Sequence, residues 1–205
     1  MPGRMVVDIN GNSNASRYLI GGKGYIINNL FRLNFNVPYG FILTTEAFDY
    51  FIDCNSLRSV LKELKNSNTN GKKEICKKIR NLIKKGNLPK DIISEIDKNI
   101  IKKGLKDKNL VMRSSGEIED SSNFSFAGQF KSILNINFDR VEKSIKEIYA
   151  SAFEFRVIKY CERFSIPIDK LRIAIIFQEF INGEVSGVAF VDPLNNKKII
   201  IEAVS

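Results

Sequence analysis

The sequence predicts an α+β protein, because it combines long stretches of helical periodicity with short apolar strands. Isoleucines and leucines recur at helical spacing between residues 72 and 108, with lysines between them. Near the end of the chain, residues 172–180, 184–190 and 197–204 are typical of strands, and Asn182-Gly183 and residues 192–196 separate them as turns. We therefore expect a central antiparallel meander with helices on one face.

The remaining elements follow from local patterns. Thr44 precedes an acid and an apolar helical stripe, which indicates a capped helix start. Residues 66–71, NSNTNG, are the clearest loop signal. We expect strands at residues 5–9, 41–43, 111–112 and 132–136, and helices at residues 25–33, 44–52, 57–64 and 141–160.

Composition limits the classes of partner. The chain has 205 residues, of which 43% are hydrophobic, enough for one large domain or two small ones. Its net charge of +9 suits an anionic ligand, a nucleic acid or an acidic surface. Because the lysines of residues 72–108 lie between apolar stripes without interleaved aromatics, we interpret them as solvated helix faces and expect no nucleic-acid partner. A basic nucleic-acid-binding domain is the alternative.

Cysteine and histidine usage excludes several site types. Cys54, Cys76 and Cys161 are far apart and form no CxxC pair, which disfavours a zinc site or a disulfide framework. The chain contains no histidine, so these residues hold no Ser-His-Asp triad, histidine metal ligand or phosphohistidine. No apolar run approaches the roughly eighteen residues of a membrane span. We expect a cytoplasmic protein without a membrane partner.

The stretch from Val111 to Ser132, VMRSSGEIEDSSNFSFAGQFKS, carries the clearest chemistry. Small hydroxyl residues and glycines after a short strand predict a polar loop that a ligand can approach closely. The planar fork of Arg113 suits phosphate oxygens, and backbone amides around Gly128 could form an anion-holding concavity. The alternative is a surface loop whose arginine pairs with Glu117 or Glu119.

A second candidate phosphate contact is the glycine-lysine turn GGKG, residues 21–24, which precedes a predicted helix. Such a turn places amides and the positive end of the helix dipole where a phosphate binds, and Lys23 would add a mobile charge. The segment is not a Walker A loop, because Gly24 follows the lysine in place of serine or threonine. A simple tight turn with a solvated lysine is the alternative.

Four stretches together carry a family resemblance: GGKGYIINNL, NVPYGFILTTEAFDYFI, VMRSSGEIEDSSNFSFAGQFKSILNI and FQEFINGEVSGVAF. In this order and spacing they resemble the N-terminal nucleotide-binding domain of the phosphoenolpyruvate synthase and pyruvate phosphate dikinase family, which rifamycin phosphotransferases share. The resemblance implies an ATP-grasp-like fold, truncated at its C-terminal side, with approximate lobes at residues 1–110 and 111–205.

The resemblance also implies an ATP site. Lys23 matches a lysine that contacts the phosphates, Arg113 an arginine that clamps them, and Gly128 the phosphate-covering loop. Ser132 stands where the pattern usually has threonine, and Gln178 falls on the hinge strand near the adenine. An ordinary solvent-facing serine and a glutamine that satisfies a strand edge are the alternatives for the last two.

In such families the β-phosphoryl group of ATP goes to a histidine on a swivelling domain, leaving AMP and phosphate. That histidine then phosphorylates pyruvate or a rifamycin. The Mg2+ ligands, the histidine domain and the acceptor domain would lie beyond residue 205. We therefore expect no catalytic or metal-binding residue within this chain, which would be an inactive fragment of a longer phosphotransferase. The alternatives are a rifamycin phosphotransferase fragment and a non-catalytic nucleotide-binding module.

Overall fold

The computed structural model describes residues 3–10, 14–116 and 130–204. Five strands form an antiparallel sheet in the order β1-β2-β5-β3-β4, and two more form a separate hairpin. The five are β1 (Val6–Asp8), β2 (Gly40–Leu43), β3 (Leu110–Gly116), β4 (Ser132–Ile136) and β5 (Ile173–Glu179), and the hairpin consists of β6 (Ser186–Asp192) and β7 (Asn195–Val204).

Helices cover both faces of this sheet, so the expectation of helices on one face is wrong. The smaller core lies between α1 and the sheet and includes Ile20, Ile42 and Ile176. The larger core lies on the other face, where the remaining helices pack. The helices are α1 (Arg17–Arg32), α2 (Thr45–Cys54), α3 (Arg58–Asn66), α4 (Thr69–Lys85), α5 (Lys90–Lys102), α6 (Val141–Ser151) and α7 (Phe155–Arg163).

No helix in the described part of the chain is long and apolar enough to cross a membrane.

Polar caps begin several of the helices. Thr44 Oγ1 accepts the amide of Ala47 at 3.3 Å, as its position before Glu46 predicts. Asn68 caps α4 in the same way, through the amide of Gly71 at 3.1 Å. The predicted loop at residues 66–71 is therefore shorter than expected, because its Asn68 begins a helix and its last residues form the first turn.

The predicted helix at residues 141–160 is two helices, α6 and α7. The hydroxyl of Ser151 donates to the carbonyl of Ile148 at 2.6 Å and accepts the amide of Lys131 at 3.1 Å. Phe153 lies just beyond the end of this helix and is buried. Its ring is nearly parallel to that of Phe48 of α2, with the two ring centroids 6.4 Å apart. Tertiary contacts thus end a helix that the apolar periodicity would continue.

The predicted C-terminal meander is also wrong. Strand β5 pairs with β2 and β3 in the centre of the five-stranded sheet and does not pair with β6. The turn at residues 192–196 does connect a hairpin, β6–β7. Local apolar patterns predicted that these strands exist, but they carry no information about which strands become neighbours.

Many lysines on the helical face form ion pairs. Lys78 contacts Glu63 at 3.1 Å, and Lys98 contacts Glu95 at 2.9 Å. Lys72 pairs with Glu162, and Lys108 contacts Glu179 at 2.7 Å. This is how a solvated outer face is arranged, and each exposed pair contributes about 0–1 kcal/mol to stability.

Burial separates the three free cysteines into two classes. Cys54 is exposed, whereas burial raises the pKa of Cys76 to about 11 and that of Cys161 to about 12. At pH 8 a thiol of pKa about 11 is a thiolate in roughly one molecule in a thousand. We expect iodoacetamide to modify Cys54 first in the native protein, as measured by peptide mass spectrometry.

The matched control for this labelling is Cys54→Ser, which should leave the native protein nearly unlabelled. The same variant in denaturant should take up two groups, because unfolding exposes both remaining thiols. Rapid modification of Cys76 or Cys161 in the native protein would contradict the burial of these side chains.

Candidate functional site

One row of side chains crosses the α1-facing side of the sheet and changes from apolar to polar along its length. Directly opposed residues of antiparallel strands point to the same face. Ile42 pairs with Ile176, which pairs with Arg113, which pairs with Ser132. The two isoleucines are buried in the smaller core, Arg113 is half-buried and Ser132 is exposed. The structure therefore places Arg113 and Ser132 side by side on adjacent strands.

Gln178 lies two residues from Ile176 on β5, so it belongs to the same face of the sheet. It pairs with Gly40 on one side and Val111 on the other, and it is 4% exposed. Its Nε2 donates to the carbonyl of Pro38 at 2.9 Å. The alternative interpretation was that Gln178 satisfies a strand edge. It does not, because β5 is the central strand of the sheet.

The glycine-lysine segment forms a kink inside α1. Gly21 has φ 71° and ψ 173°, a backbone conformation that is essentially restricted to glycine. Helical geometry resumes after it, so Lys23 lies in the first turn after the kink. The predicted helix at residues 25–33 is thus part of a longer element that begins at Arg17.

Ser115 of β3 connects this kink to the sheet. Its hydroxyl accepts the amide of Gly24 at 3.0 Å and donates to the carbonyl of Ile20 at 2.8 Å, and both bonds are buried. We call this pair of bonds the Ser115 clamp. It attaches the backbone on both sides of Lys23 to β3. Arg113 lies two residues before Ser115 on this strand, so both side chains point to the same face of the sheet.

The clamp changes one expectation from the sequence. The amide of Gly24, expected to be available to a phosphate, already donates to Ser115. Arg113, Ser114 and Ser115 also lie within β3 and not in a polar loop. The motif of two serines after an arginine was visible in the sequence, but nothing local indicated that the second serine would bind α1.

One predicted site residue and two related acids fall outside the described part of the chain. Gly128 lies there, as do Glu117 and Glu119, the alternative partners of Arg113. The structure therefore places Arg113, Ser132 and Gln178 on one face of the sheet, the face against which α1 with Lys23 packs.

A polar groove elsewhere on the molecule has a different character. It has a volume of about 410 Å³ and is lined by residues of β1 and α5. Four of its five charged side chains pair with one another, because Lys102 contacts Asp8 at 3.2 Å and Lys98 contacts Glu95 at 2.9 Å. We therefore locate the candidate anion site on the α1-facing side of the sheet.

Comparison with known families assigns the chain to a family of nucleotide-binding domains. Residues 17–205 match the family described as the pyruvate phosphate dikinase AMP/ATP-binding domain. The chain belongs to this family. Its mixed helix-and-sheet architecture is the α+β class predicted from the sequence, and membership confirms the ATP-grasp-type fold.

Curated relatives agree with this assignment. The chain is 35% identical to the phosphoenolpyruvate synthase of Aquifex aeolicus over 84% of its residues, and 32% identical to a probable phosphoenolpyruvate synthase of Methanocaldococcus jannaschii over 93%. It is 29% identical to the rifampicin phosphotransferase of Bacillus subtilis over 89%. These alignments cover 22%, 17% and 22% of the respective relatives, so the chain spans about a fifth of their length.

The dikinase-family chain shows no evident metal centre in its described residues. Among them, no three histidine, cysteine, aspartate or glutamate side chains come together as metal ligands would. The side chains of Arg113 and Ser132 on the candidate face offer instead a guanidinium and a hydroxyl, donors that suit phosphate oxygens.

Proposed function

We propose that this chain is the ATP-binding part of a dikinase-type phosphotransferase of the phosphoenolpyruvate synthase kind. The observation that carries the proposal is the shared face on which Arg113, Ser132 and the clamped turn of Lys23 meet. Phosphoryl transfer depends mainly on positioning and on neutralising charge, and these residue types supply both.

Each residue has a distinct role in this proposal. Arg113 forms paired hydrogen bonds to phosphate oxygens, and Lys23 adds a charge from the kinked helix turn. Ser132, beside Arg113, donates a hydrogen bond from its hydroxyl to a phosphate oxygen, and Gly128 belongs to the loop that covers the phosphates. Gln178 lines the adenine end of the site, where its carbonyl oxygen faces the base because Pro38 holds its amide nitrogen.

We propose that the full-length protein transfers the β-phosphoryl group of ATP to a histidine on a swivelling domain and then to pyruvate. AMP and phosphate are the other products, and the phosphate arises from transfer of the γ-phosphoryl group to water. The residues of this chain hold and orient the nucleotide, and the accepting groups lie in other domains. The similarity to a rifampicin phosphotransferase supports a rifamycin as the alternative acceptor.

Mg2+ would accompany ATP in this reaction and would supply charge neutralisation at its phosphates. Because the described residues form no carboxylate cluster, we assign no metal ligand within them and derive no step through the ion. Its protein ligands would belong to the rest of the full-length enzyme, so this chain by itself should be catalytically inactive. We place the enzyme in the cytoplasm, where ATP is available.

The two-lobe arrangement remains part of the proposal. The five-stranded sheet takes β1 and β2 from before residue 110 and β4 and β5 from after it, and β3 spans the predicted boundary. This supports placing the division after β5, so that the β6–β7 hairpin begins the second lobe.

ATP titration of variants tests the site. Arg113→Ala should weaken ATP binding about 10- to 100-fold and Lys23→Ala about tenfold, because hydrogen bonds to charged groups contribute roughly 1.5–3 kcal/mol. Isothermal titration calorimetry at low salt and up to millimolar ATP would measure both. Arg113→Lys should recover only part of the affinity, since an ammonium lacks the planar fork.

Arg80→Ala is the matched control. Arg80 is also half-buried, but it lies on α4, which packs on the opposite face of the sheet. The Arg80→Ala substitution removes the same charge at a position far from the candidate face, so ATP affinity should change less than about twofold. Equal affinity of Arg113→Ala and the parent chain, with intact fold, would contradict the proposed site.

A further inference from the structure

Strand β4 contains one residue more than regular pairing with β3 requires. At the end of β4, Ile136 pairs with Leu110, and closer to its start Ile133 pairs with Met112. Three steps along β4 therefore match two steps along β3, which is the pattern of a β-bulge. The extra residue lies between the two pairs, within residues 134–135.

Asn135 supplies a backbone conformation that suits this bulge. Its φ is 56°, in the left-handed region that one class of bulge uses and that glycine usually occupies there. Asparagine is several-fold enriched in this region, whereas β-branched residues are outliers in it. The Asn135 side chain is exposed, so core packing does not determine which residue stands at this position.

The bulge decides which face of the sheet Ser132 occupies. Ile136 is buried in the larger core, and strict alternation from this residue would point Ser132 to that core as well. Ile133 would then lie opposite Arg113, on the α1-facing side. Because the bulge takes up the extra residue, Ile133 instead packs against the larger core, and Ser132 lies opposite Arg113.

We propose that Asn135 is a positioning residue for the ATP site, because its left-handed backbone sets the register that places Ser132 beside Arg113. This inference rests on the proposed function, in which both of these side chains bind phosphate oxygens. Asn135 does not contact the nucleotide in this role and acts through the register of β4. Bulges beside functional sites re-aim side chains in this way.

Substitutions in the full 205-residue chain, measured by calorimetric ATP titration, test this role. Asn135→Val disfavours the left-handed backbone and should weaken ATP binding about 3- to 10-fold, as should Ser132→Ala, because each loses one hydrogen bond to a phosphate. The double variant should show no further loss, since both changes remove the same contact. Asn135→Gly should bind ATP within about twofold of the parent, because glycine adopts a positive φ freely.

Deletion of Asn135 gives the sharpest contrast with Asn135→Val. It removes the extra residue, so β4 pairs regularly with β3 from Ile136 onward and Ser132 remains opposite Arg113. ATP affinity should therefore stay within about threefold of the parent. Backbone NOEs between Arg113 and Ser132 in isotope-labelled protein should be present in the parent and in the deletion variant, and should weaken in Asn135→Val.

Ser56→Val is the matched control. Ser56 is also exposed and has a positive φ, of 54°, but it follows α2, which packs on the opposite face of the sheet. This variant places the same β-branched residue in the same backbone region, so it should lose stability in urea denaturation and keep ATP affinity within about twofold.

The outcomes separate this inference from the proposed function. If Ser132→Ala weakens ATP binding but Asn135→Val does not, the positioning role of Asn135 is wrong and the proposed site stands. Additive losses in the double variant, or a deletion variant that binds as weakly as Asn135→Val, would also overturn the positioning role. If Ser132→Ala binds ATP as tightly as the parent, both the proposed contact of Ser132 and this inference are wrong.

Discussion

Replacing Ser115 by alanine is expected to lower the free energy of unfolding by about 2–4 kcal/mol. The Ser115 hydroxyl satisfies two buried backbone groups, the amide of Gly24 and the carbonyl of Ile20. Each group left without a partner costs about 1–3 kcal/mol. Urea denaturation of the two proteins, with equal slopes, would measure the difference.

Ser114→Ala is the control that the chain itself provides. Ser114 is the preceding residue of β3 and is equally buried, but its hydroxyl has no hydrogen-bond partner among the described residues. Removing an unsatisfied hydroxyl should change stability by less than about 0.5 kcal/mol or increase it slightly. If both alanine variants lose the same stability, the Ser115 clamp contributes nothing specific.

The clamp variant also bears on the proposed ATP site. Loss of the bonds to Gly24 and Ile20 frees the turn of Lys23 from the strand of Arg113, so ATP affinity should fall together with stability. Ser114→Ala should leave ATP affinity unchanged. If Ser115→Ala is destabilised but binds ATP as tightly as the parent, the clamp stabilises the fold and does not contribute to nucleotide binding.

Replacing Gly21 by alanine is expected to destabilise the protein by about 3–5 kcal/mol. The backbone of Gly21, with φ 71° and ψ 173°, is in a region where a side chain costs about 1–3 kcal/mol. An added Cβ would also lie 2.2 Å from the backbone oxygen of Ser115. Relieving such a contact requires α1 to move away from β3, at a further cost of about 1–3 kcal/mol.

Gly104→Ala separates these two contributions. Gly104 also has a positive φ, of 63°, but an added Cβ there would meet nothing within 4 Å. It should therefore cost only the conformational part, about 1–2 kcal/mol. Thermal and urea unfolding of both variants would show the difference, and equal losses would mean that the close approach of α1 to β3 adds no energy.

Much of the fold class and of the candidate site follows from local sequence. Alternation predicted the strand at Ser132–Ile136, and a short apolar run after a turn predicted the strand at Gly40–Leu43. The spacing of apolar residues predicted α2, α3 and the core stripes of α4 and α5. The motifs around Lys23 and Arg113 contribute to the resemblance to the family, and the comparison with known families confirmed that family. These features depend on residues close together in the chain, where periodicity and motif chemistry are informative.

The order of strands was not available from such patterns. Residues 172–180 were correctly predicted as a strand, yet β5 lies between β2 and β3 and not beside β6. The end of α6 was missed as well, and its last residue, Ser151, bonds the backbone of Lys131, twenty residues away. Pairing and helix ends of this kind are set by packing across the core.

By itself the sequence determined the α+β class, the dikinase family and the two cationic residues proposed to hold phosphates. Only the tertiary structure decided that Arg113 and Ser132 are neighbours in one row, and that Ser115 binds the kink of α1 next to Lys23. The physical reason is separation along the chain. The hydrogen bonds of Ser115 join residues more than ninety positions apart, and their geometry depends on how α1 packs against the sheet.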